Sequence, residues 1–157
     1  DLILKRNNPN YANPKDKIDY FKGLSGVDQR YAPFNGGLGQ RQLEWLREAL
    51  KEAQSVNERV MIFSHLPFYH PAADAQNIAF DYDRVLELID EVDRGRVVAV
   101  FAGHCHRGGY AQDERGVHHV TIQSPLTHGE CYGYIDVFSD RIEVYGGGAQ
   151  RSYTLKL

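Results

Sequence analysis

Cysteines and long apolar runs are both scarce in this sequence. Only Cys105 and Cys131 occur in 157 residues, which fits neither a disulfide framework nor the paired spacing of a zinc knuckle. No apolar run approaches the ~20 residues needed to cross a bilayer, so we expect no membrane partner. So few cysteines are typical of a reducing compartment, and we expect a cytoplasmic protein.

An excess of basic residues is also missing. Lys and Arg number 18 against 21 Asp and Glu, for a formal net charge of -3, so no positive surplus is available to bind a phosphate backbone. We therefore expect no nucleic-acid partner. The length is that of one domain with a sizeable core. Because the sequence begins at Asp1 rather than Met, we also expect that an initiator, a processed segment or a larger upstream part precedes it.

The composition and the periodicity of the sequence change near residue 38. Residues 1–38 are rich in Asn, Pro, Gly and Tyr without a sustained period, which predicts a loop or cap region. Residues 39–157 begin with a pattern that predicts an amphipathic helix, because apolar residues recur three to four positions apart. These residues are Leu43, Leu46, Leu50 and Ala53.

The centre of the chain predicts an α/β fold. The apolar runs "RVMIFSH" and "RVVAVFAG" are typical of strands buried on both faces. Between them "FDYDRVLELIDEVDRG" predicts a helix that ends near Gly95, so strand, helix and strand indicate a parallel crossover unit. Four later segments predict an antiparallel meander. They are "HHVTIQ", "YGYIDVF", "DRIEVYGG" and "RSYTLKL".

Histidines follow both predicted buried strands. His65 ends the first, and His104 and His106 follow the second after Gly103, a residue that permits a sharp turn. Because the carboxyl ends of parallel strands meet at one edge of a sheet, we predict that the three imidazoles bind metal there. Imidazole suits Zn, Fe, Ni and Mn alike. The alternative is that each histidine only satisfies buried polar groups near a strand end.

Carboxylate ligands are missing from this constellation. A two-metal phosphoesterase site needs bridging carboxylates, yet the central aspartates lie in a predicted loop or helix rather than after a strand. They are Asp74, Asp81, Asp83, Asp90 and Asp93. Three histidines and a water would instead complete a catalytic zinc site. We expect Cys105 to point away from its neighbours, and His118 and His119 to have surface or core roles.

Four segments together carry a family resemblance. They are "FNGGLGQRQLEWL", "SHLPFYHPAA", "FAGHCHRGGY" and "GVHHVTIQSP". They resemble the calcineurin-like metallophosphoesterases, and most closely the C-terminal half of the manganese-dependent ADP-ribose/CDP-alcohol diphosphatases. The resemblance implies half of an α/β/β/α sandwich, in which parallel strands precede an antiparallel meander. It also implies a dinuclear phosphohydrolase with two divalent metals, Mn first and Fe or Zn as alternatives, in which His65 and His104 bind one metal and His106 binds the other.

The resemblance also shows what the sequence does not contain. The family's DxH, GDxxD and GNH(D/E) motifs are absent, which implies that the N-terminal half of the domain, or another chain, supplies them as a partner. Arg107 and Gln123 replace acids; Arg107 either contacts a substrate phosphate or is a solvated charge. Phe34 and Asn35 either form a helix-entry turn or line the substrate cleft. Two functions remain open: a diphosphatase for nucleotide diphosphates that needs its N-terminal half, or a non-catalytic scaffold subunit.

Overall fold

The structure is a computed structural model that describes residues 2–11, 19–92 and 95–157. The α-helices of this part are α1 (Leu2–Asn7), α2 (Gly39–Ser55), α3 (Tyr82–Val92) and α4 (Pro125–His128). Single 3₁₀ turns cover Gly26–Arg30, His70–Ala72 and Ala75–Asn77. The strands are β1 (Val60–Ser64), β2 (Val97–Ala102), β3 (Gly109–Gln112), β4 (His118–Thr121), β5 (Cys131–Val137), β6 (Arg141–Gly148) and β7 (Tyr153–Lys156).

Both predicted helices are confirmed. All the apolar stripe residues of α2 are buried, and so are those of α3. Asp81 stabilises the start of α2, since its carboxylate accepts hydrogen bonds from the backbone N–H groups of Leu38 at 3.0 Å and Gly39 at 2.8 Å. A Cβ on Gly37 would lie 2.7 Å from this carboxylate, so only glycine leaves room for the contact.

The first sheet has four strands in the order β1-β2-β4-β3. The predicted parallel pairing of β1 with β2 is confirmed. The assignment of "HHVTIQ" to the meander is wrong, because β4 lies parallel to β2 inside this sheet, and β3, which was not predicted, pairs with it antiparallel. Every residue of β4 is buried. The segment is thus a strand as predicted, but a central strand of the first sheet rather than part of the meander.

The second sheet is the antiparallel meander β5-β6-β7, as predicted for these segments. A buried cluster that includes Phe101 and Val120 of the first sheet and Ile142 and Leu155 of the second joins the two layers. A separate cluster packs α2 and α3 against the other face of the first sheet. The described residues thus form a helix, sheet, sheet arrangement that confirms the predicted α/β class.

Strand β1 is not buried on both faces as predicted. Phe63 is 65% exposed, and its ring stacks on Phe101 with the ring centroids 5.3 Å apart. The physical reason is position: within the described residues β1 pairs with β2 alone and forms an edge of the sheet. In the same part of the chain, no helix has both the length and the apolar character to cross a membrane. Both cysteines are free thiols, and the cytoplasmic location stays a prediction.

Candidate metal centre

His65 and His104 contact each other where β1 and β2 end. The parallel register pairs Ser64 with Ala102, and the N–H of Gly103 donates to the His65 carbonyl at 3.0 Å. This register places the His65 Nε2 and His104 Nδ1 atoms 3.2 Å apart. The predicted convergence of these two imidazoles is therefore confirmed, whereas metal ligation by them stays a prediction.

His104 itself makes the sharp turn between strand and loop. Its φ is +61°, in the left-handed region, which costs a residue with a side chain about 1–2 kcal/mol. The sequence predicts this turn at Gly103, but Gly103 is not one of the residues with a positive φ. Strain of this kind occurs mainly where a side chain must be held in one direction. Here it directs the His104 ring towards His65.

Asn35 contacts the far side of the His104 ring. The distance from its Oδ1 to the His104 Nε2 is 2.7 Å, and its Nδ2 donates to the carbonyls of Arg30 and Gln76, each at 2.7 Å. Phe34 lies beside the same ring, with centroids 6.1 Å apart, and is half exposed. Both residues predicted from "FNGG" therefore lie at the site, although the amide of Asn35 is already engaged by the protein.

His106 lies two residues after His104, and both side chains line one cavity. Its Nδ1 lies 2.8 Å from the Thr127 Oγ1, so Nε2 is the ring nitrogen outside this contact. Thr127 belongs to α4, whose start is stabilised by Ser124; sequence reasoning missed this contact, although "SPLTH" carries the Ser-Pro signal of a helix start. A cavity of about 370 Å³ lies between the loops that carry Phe34, Asp74 and His104. Its lining consists of Phe34, Asp74, Asn77, His104, Cys105, His106 and Arg107.

Asp74 organises the remaining polar groups of this cavity. It forms an ion pair with Arg107, whose exposed guanidinium therefore stays near His106 with a partner of its own. Cys105 is buried, and its thiol lies 3.5 Å from the Asp74 Oδ2. Burial raises the pKa of the Cys105 thiol, so this sulfur is held protonated, and its contact is with Asp74.

The environment of His104 favours its neutral form. Burial lowers the pKa of His104, and the neighbouring His65 and His106 lower it further because a second positive charge there is repelled. Neutral imidazole is the form that binds a metal ion. The electrostatics of the site therefore agree with the ligand role predicted for this residue.

The donor atoms present fit part of a metal site. Two nitrogens bound to one ion at about 2.1 Å, with an angle of roughly 100° between them, lie about 3.2 Å apart, and the His65 and His104 nitrogens have that separation. However, no three His, Cys, Asp or Glu side chains of residues 2–11, 19–92 and 95–157 gather around one point. The described residues thus supply a nitrogen pair without the carboxylates that a dinuclear site needs.

The histidines and aspartates that the sequence does not place at a strand end make structural contacts. His118 and His119 point to opposite faces of β4, yet both are buried because both faces are covered. His118 lies 2.8 Å from the Lys156 carbonyl, and His119 lies 3.2 Å from Asp113. Asp81 caps α2, and Asp93 lies outside the described residues.

The fold and the strand-end histidines define a phosphatase-like architecture. The chain superposes with a TM-score of 0.85 on the crystal structure of a dimetal phosphatase from Danio rerio, to which it is 30% identical over 99% of this chain and 48% of that chain. The chain therefore resembles the dimetal phosphatases in both fold and sequence. No protein-family model matches it.

Sequence relatives narrow this class. The chain is 37% identical over 150 residues to a manganese-dependent ADP-ribose/CDP-alcohol diphosphatase from Oryza sativa subsp. japonica. This alignment covers 92% of the chain and 44% of the relative. It is 36% identical over 149 residues to the human protein of the same name, which covers 93% of the chain and 41% of the relative. The chain is thus similar to these diphosphatases, and it spans less than half the length of each.

Proposed function

We propose that this chain supplies the C-terminal half of a dinuclear metal-dependent phosphohydrolase for ADP-ribose, CDP-alcohols or related nucleotide diphosphates. The observation that carries the proposal is the 3.2 Å contact between the His65 Nε2 and the His104 Nδ1 at the ends of two parallel strands. A scaffold has no physical need for two imidazoles that share one edge of a sheet, one of them on a strained backbone.

The residues have distinct roles in this proposal. His65 and His104 hold one divalent metal, and His106 holds the other, with Mn favoured by the names of the relatives. When bound, such a pair of metals polarises phosphoryl oxygens and lowers the pKa of water. Arg107 exchanges its Asp74 partner for a substrate phosphate, and Phe34 offers a half-exposed ring beside the metal site to the rest of the nucleotide.

Among the residues that the structure describes, one edge of β1 has no strand partner, and this supports the need for a second half. An edge strand presents free backbone N–H and C=O groups that bind another strand. Beside this edge lies an apolar cavity of about 370 Å³, whose lining includes Phe63, Phe101 and Ile122. A strand from the N-terminal half would pair with β1, cover Phe63 and bring the missing carboxylate ligands to the same edge as His65.

One observation favours the alternative function of a non-catalytic scaffold or subunit. Among the described residues no carboxylate joins the histidines, and three neutral imidazoles offset none of the four positive charges of two divalent ions. A chain that never meets its complementary half would therefore bind a second metal weakly and would not stabilise both the attacking and the leaving oxygen.

The test is ADP-ribose hydrolysis with Mn²⁺, measured for the chain alone and mixed with the complementary half of the domain that carries the three missing motifs. We expect no turnover from the chain alone and turnover from the mixture. His106→Ala is expected to abolish turnover in the mixture, whereas the control His70→Ala, an exposed histidine outside the cavity, leaves it unchanged. A well-folded complex without activity would support the scaffold instead.

A further inference from the structure

We infer that Asn35 is a positioning residue that prepares His104 for metal binding by holding the imidazole proton on Nε2. The inference rests on the proposed function, because it assigns the ligand nitrogen of a metal site. Its structural basis is the chain of hydrogen bonds that runs from two loop carbonyls through Asn35 to the His104 ring.

The orientation of the Asn35 amide is determined by its surroundings. An asparagine amide has two N–H donors on Nδ2 and an acceptor oxygen, and the Nδ2 lies 2.7 Å from the carbonyl oxygens of both Arg30 and Gln76. Two carbonyls accept only, so both must receive N–H groups. A flipped amide would place Oδ1 against two carbonyl oxygens. Oδ1 therefore faces His104.

This orientation determines where the His104 proton lies. The Asn35 Oδ1 only accepts hydrogen bonds, and it lies 2.7 Å from the His104 Nε2, so Nε2 must carry the proton. A neutral imidazole has one N–H and one lone pair. The lone pair of His104 is consequently on Nδ1, the nitrogen that faces His65, which is the arrangement that a metal ligand requires.

His65 is not prepared in the same way. Because the His104 Nδ1 is an acceptor, the His65 Nε2 at 3.2 Å must donate to it when no metal is bound. When the His65 Nε2 binds a cation instead, the proton of a neutral His65 ring lies on Nδ1. The structure thus gives the two ligands different roles: His104 is set in advance by Asn35, and His65 adjusts when the metal arrives.

The first test is made on the metal-free chain and does not depend on activity. The nitrogen chemical shifts of the His104 ring report which nitrogen carries the proton. We expect one fully protonated Nε2 and one unprotonated Nδ1 in the wild type, and exchange-averaged values in Asn35→Ala. Averaged values in the wild type would overturn the inference. This outcome needs only the wild type, so the test stands even if Asn35→Ala does not fold.

Asn8→Ala is the matched control. The Asn8 Nδ2 also bonds two loop carbonyls, those of Tyr20 and Tyr31, but its Oδ1 accepts from the backbone N–H of Asn10 and touches no histidine. Both variants remove an amide that braces the same loop region. A change in the His104 shifts that is as large in Asn8→Ala as in Asn35→Ala would show that loop bracing, rather than the Asn35 contact, determines the proton position, and would overturn the inference.

The second test is direct Mn²⁺ binding to the chain with its complementary half, followed by electron paramagnetic resonance. Loss of an outer partner of a metal-ligating histidine typically weakens metal binding by about 10–100-fold, and we expect this for Asn35→Ala and not for Asn8→Ala. If His65→Ala does not weaken Mn²⁺ binding, the proposed function is contradicted. If His65→Ala weakens binding but Asn35→Ala does not, only the role of Asn35 is contradicted.

Discussion

Asp113 lies under the turn between β3 and β4, and its replacement is expected to be the most damaging single change of charge in the described residues. Its side chain is 3% exposed. The carboxylate accepts from the backbone N–H groups of Arg115 and Val117, each at 3.0 Å, and from the His119 Nε2 at 3.2 Å. The Arg115 guanidinium lies 3.0 Å away and neutralises the charge. One carboxylate thus closes the turn and pairs with the central strand β4.

The expected cost of Asp113→Ala follows from these contacts. A hydrogen bond to a charged group contributes about 1.5–3 kcal/mol, and removing one partner of a buried ion pair costs about 3–5 kcal/mol. Arg115 is 32% exposed, so its share is reduced by solvent screening, but His119 and the Val117 N–H are buried and lose their partner outright. We therefore expect the free energy of unfolding to fall by about 3–5 kcal/mol.

Urea unfolding followed by circular dichroism measures this loss. Asp113→Asn keeps one acceptor oxygen for the backbone N–H groups and removes the charge, so we expect a smaller loss, about 1.5–3 kcal/mol. The control is Asp140→Ala, because Asp140 is 72% exposed in its pair with Arg141 and such a pair contributes about 0–1 kcal/mol. A loss below about 1 kcal/mol for Asp113→Ala would refute this account of the turn.

The same pair predicts how stability depends on pH. Burial raises the pKa of Asp113, but the hydrogen bonds from His119, Arg115 and Val117 outweigh it, so the pKa lies below its ordinary value. Burial lowers the pKa of His119, and Asp113 opposes this only in part. In both cases the unfolded chain binds more protons in acid. Stability is therefore expected to fall below about pH 6.5, where unfolded histidine protonates, and again below about pH 3.9.

Wild type and Asp113→Asn together isolate the contribution of the carboxylate. The difference in their free energies of unfolding is expected to shrink below about pH 3.9 as the pH falls through the folded pKa of Asp113, since the stabilising charge is lost there. A difference that keeps growing below about pH 3.9 would contradict the direction of the pKa shift.

Three further changes test the core, the edge and the cavity. Leu50→Ala, at the fully buried centre of α2, is expected to cost about 2–5 kcal/mol in urea unfolding, whereas Trp45→Ala on the exposed side is expected to cost far less. Phe63→Ser is expected to weaken binding of the complementary half about tenfold in calorimetry, because burial of a Phe side chain stabilises by about 1.5–3 kcal/mol and Phe63 is 65% exposed; unchanged affinity would contradict pairing at β1. Arg107→Ala is expected to raise the KM for ADP-ribose with little change in kcat, and a change confined to kcat would contradict a phosphate contact.

The sequence alone determined helices α2 and α3, the parallel unit and the convergence of His65 with His104. Helix α2 and helix α3 follow from local periodicity, since the spacing of their apolar residues reflects one buried face whatever lies against it. His65 and His104 were found because parallel strands end at a common edge. Both inferences depend on geometry that repeats along the chain, which is why they need no knowledge of distant contacts.

Tertiary structure decided the features that depend on residues far apart in sequence. β4 is a central strand although two of its residues are histidines, because His119 meets Asp113 and His118 meets the Lys156 carbonyl, and partners of this kind make a buried polar group tolerable. Asn35 contacts His104 across 69 positions of sequence, a distance that no local pattern spans. The positive φ at His104 likewise appears only in the folded chain, where the surrounding structure compensates its strain.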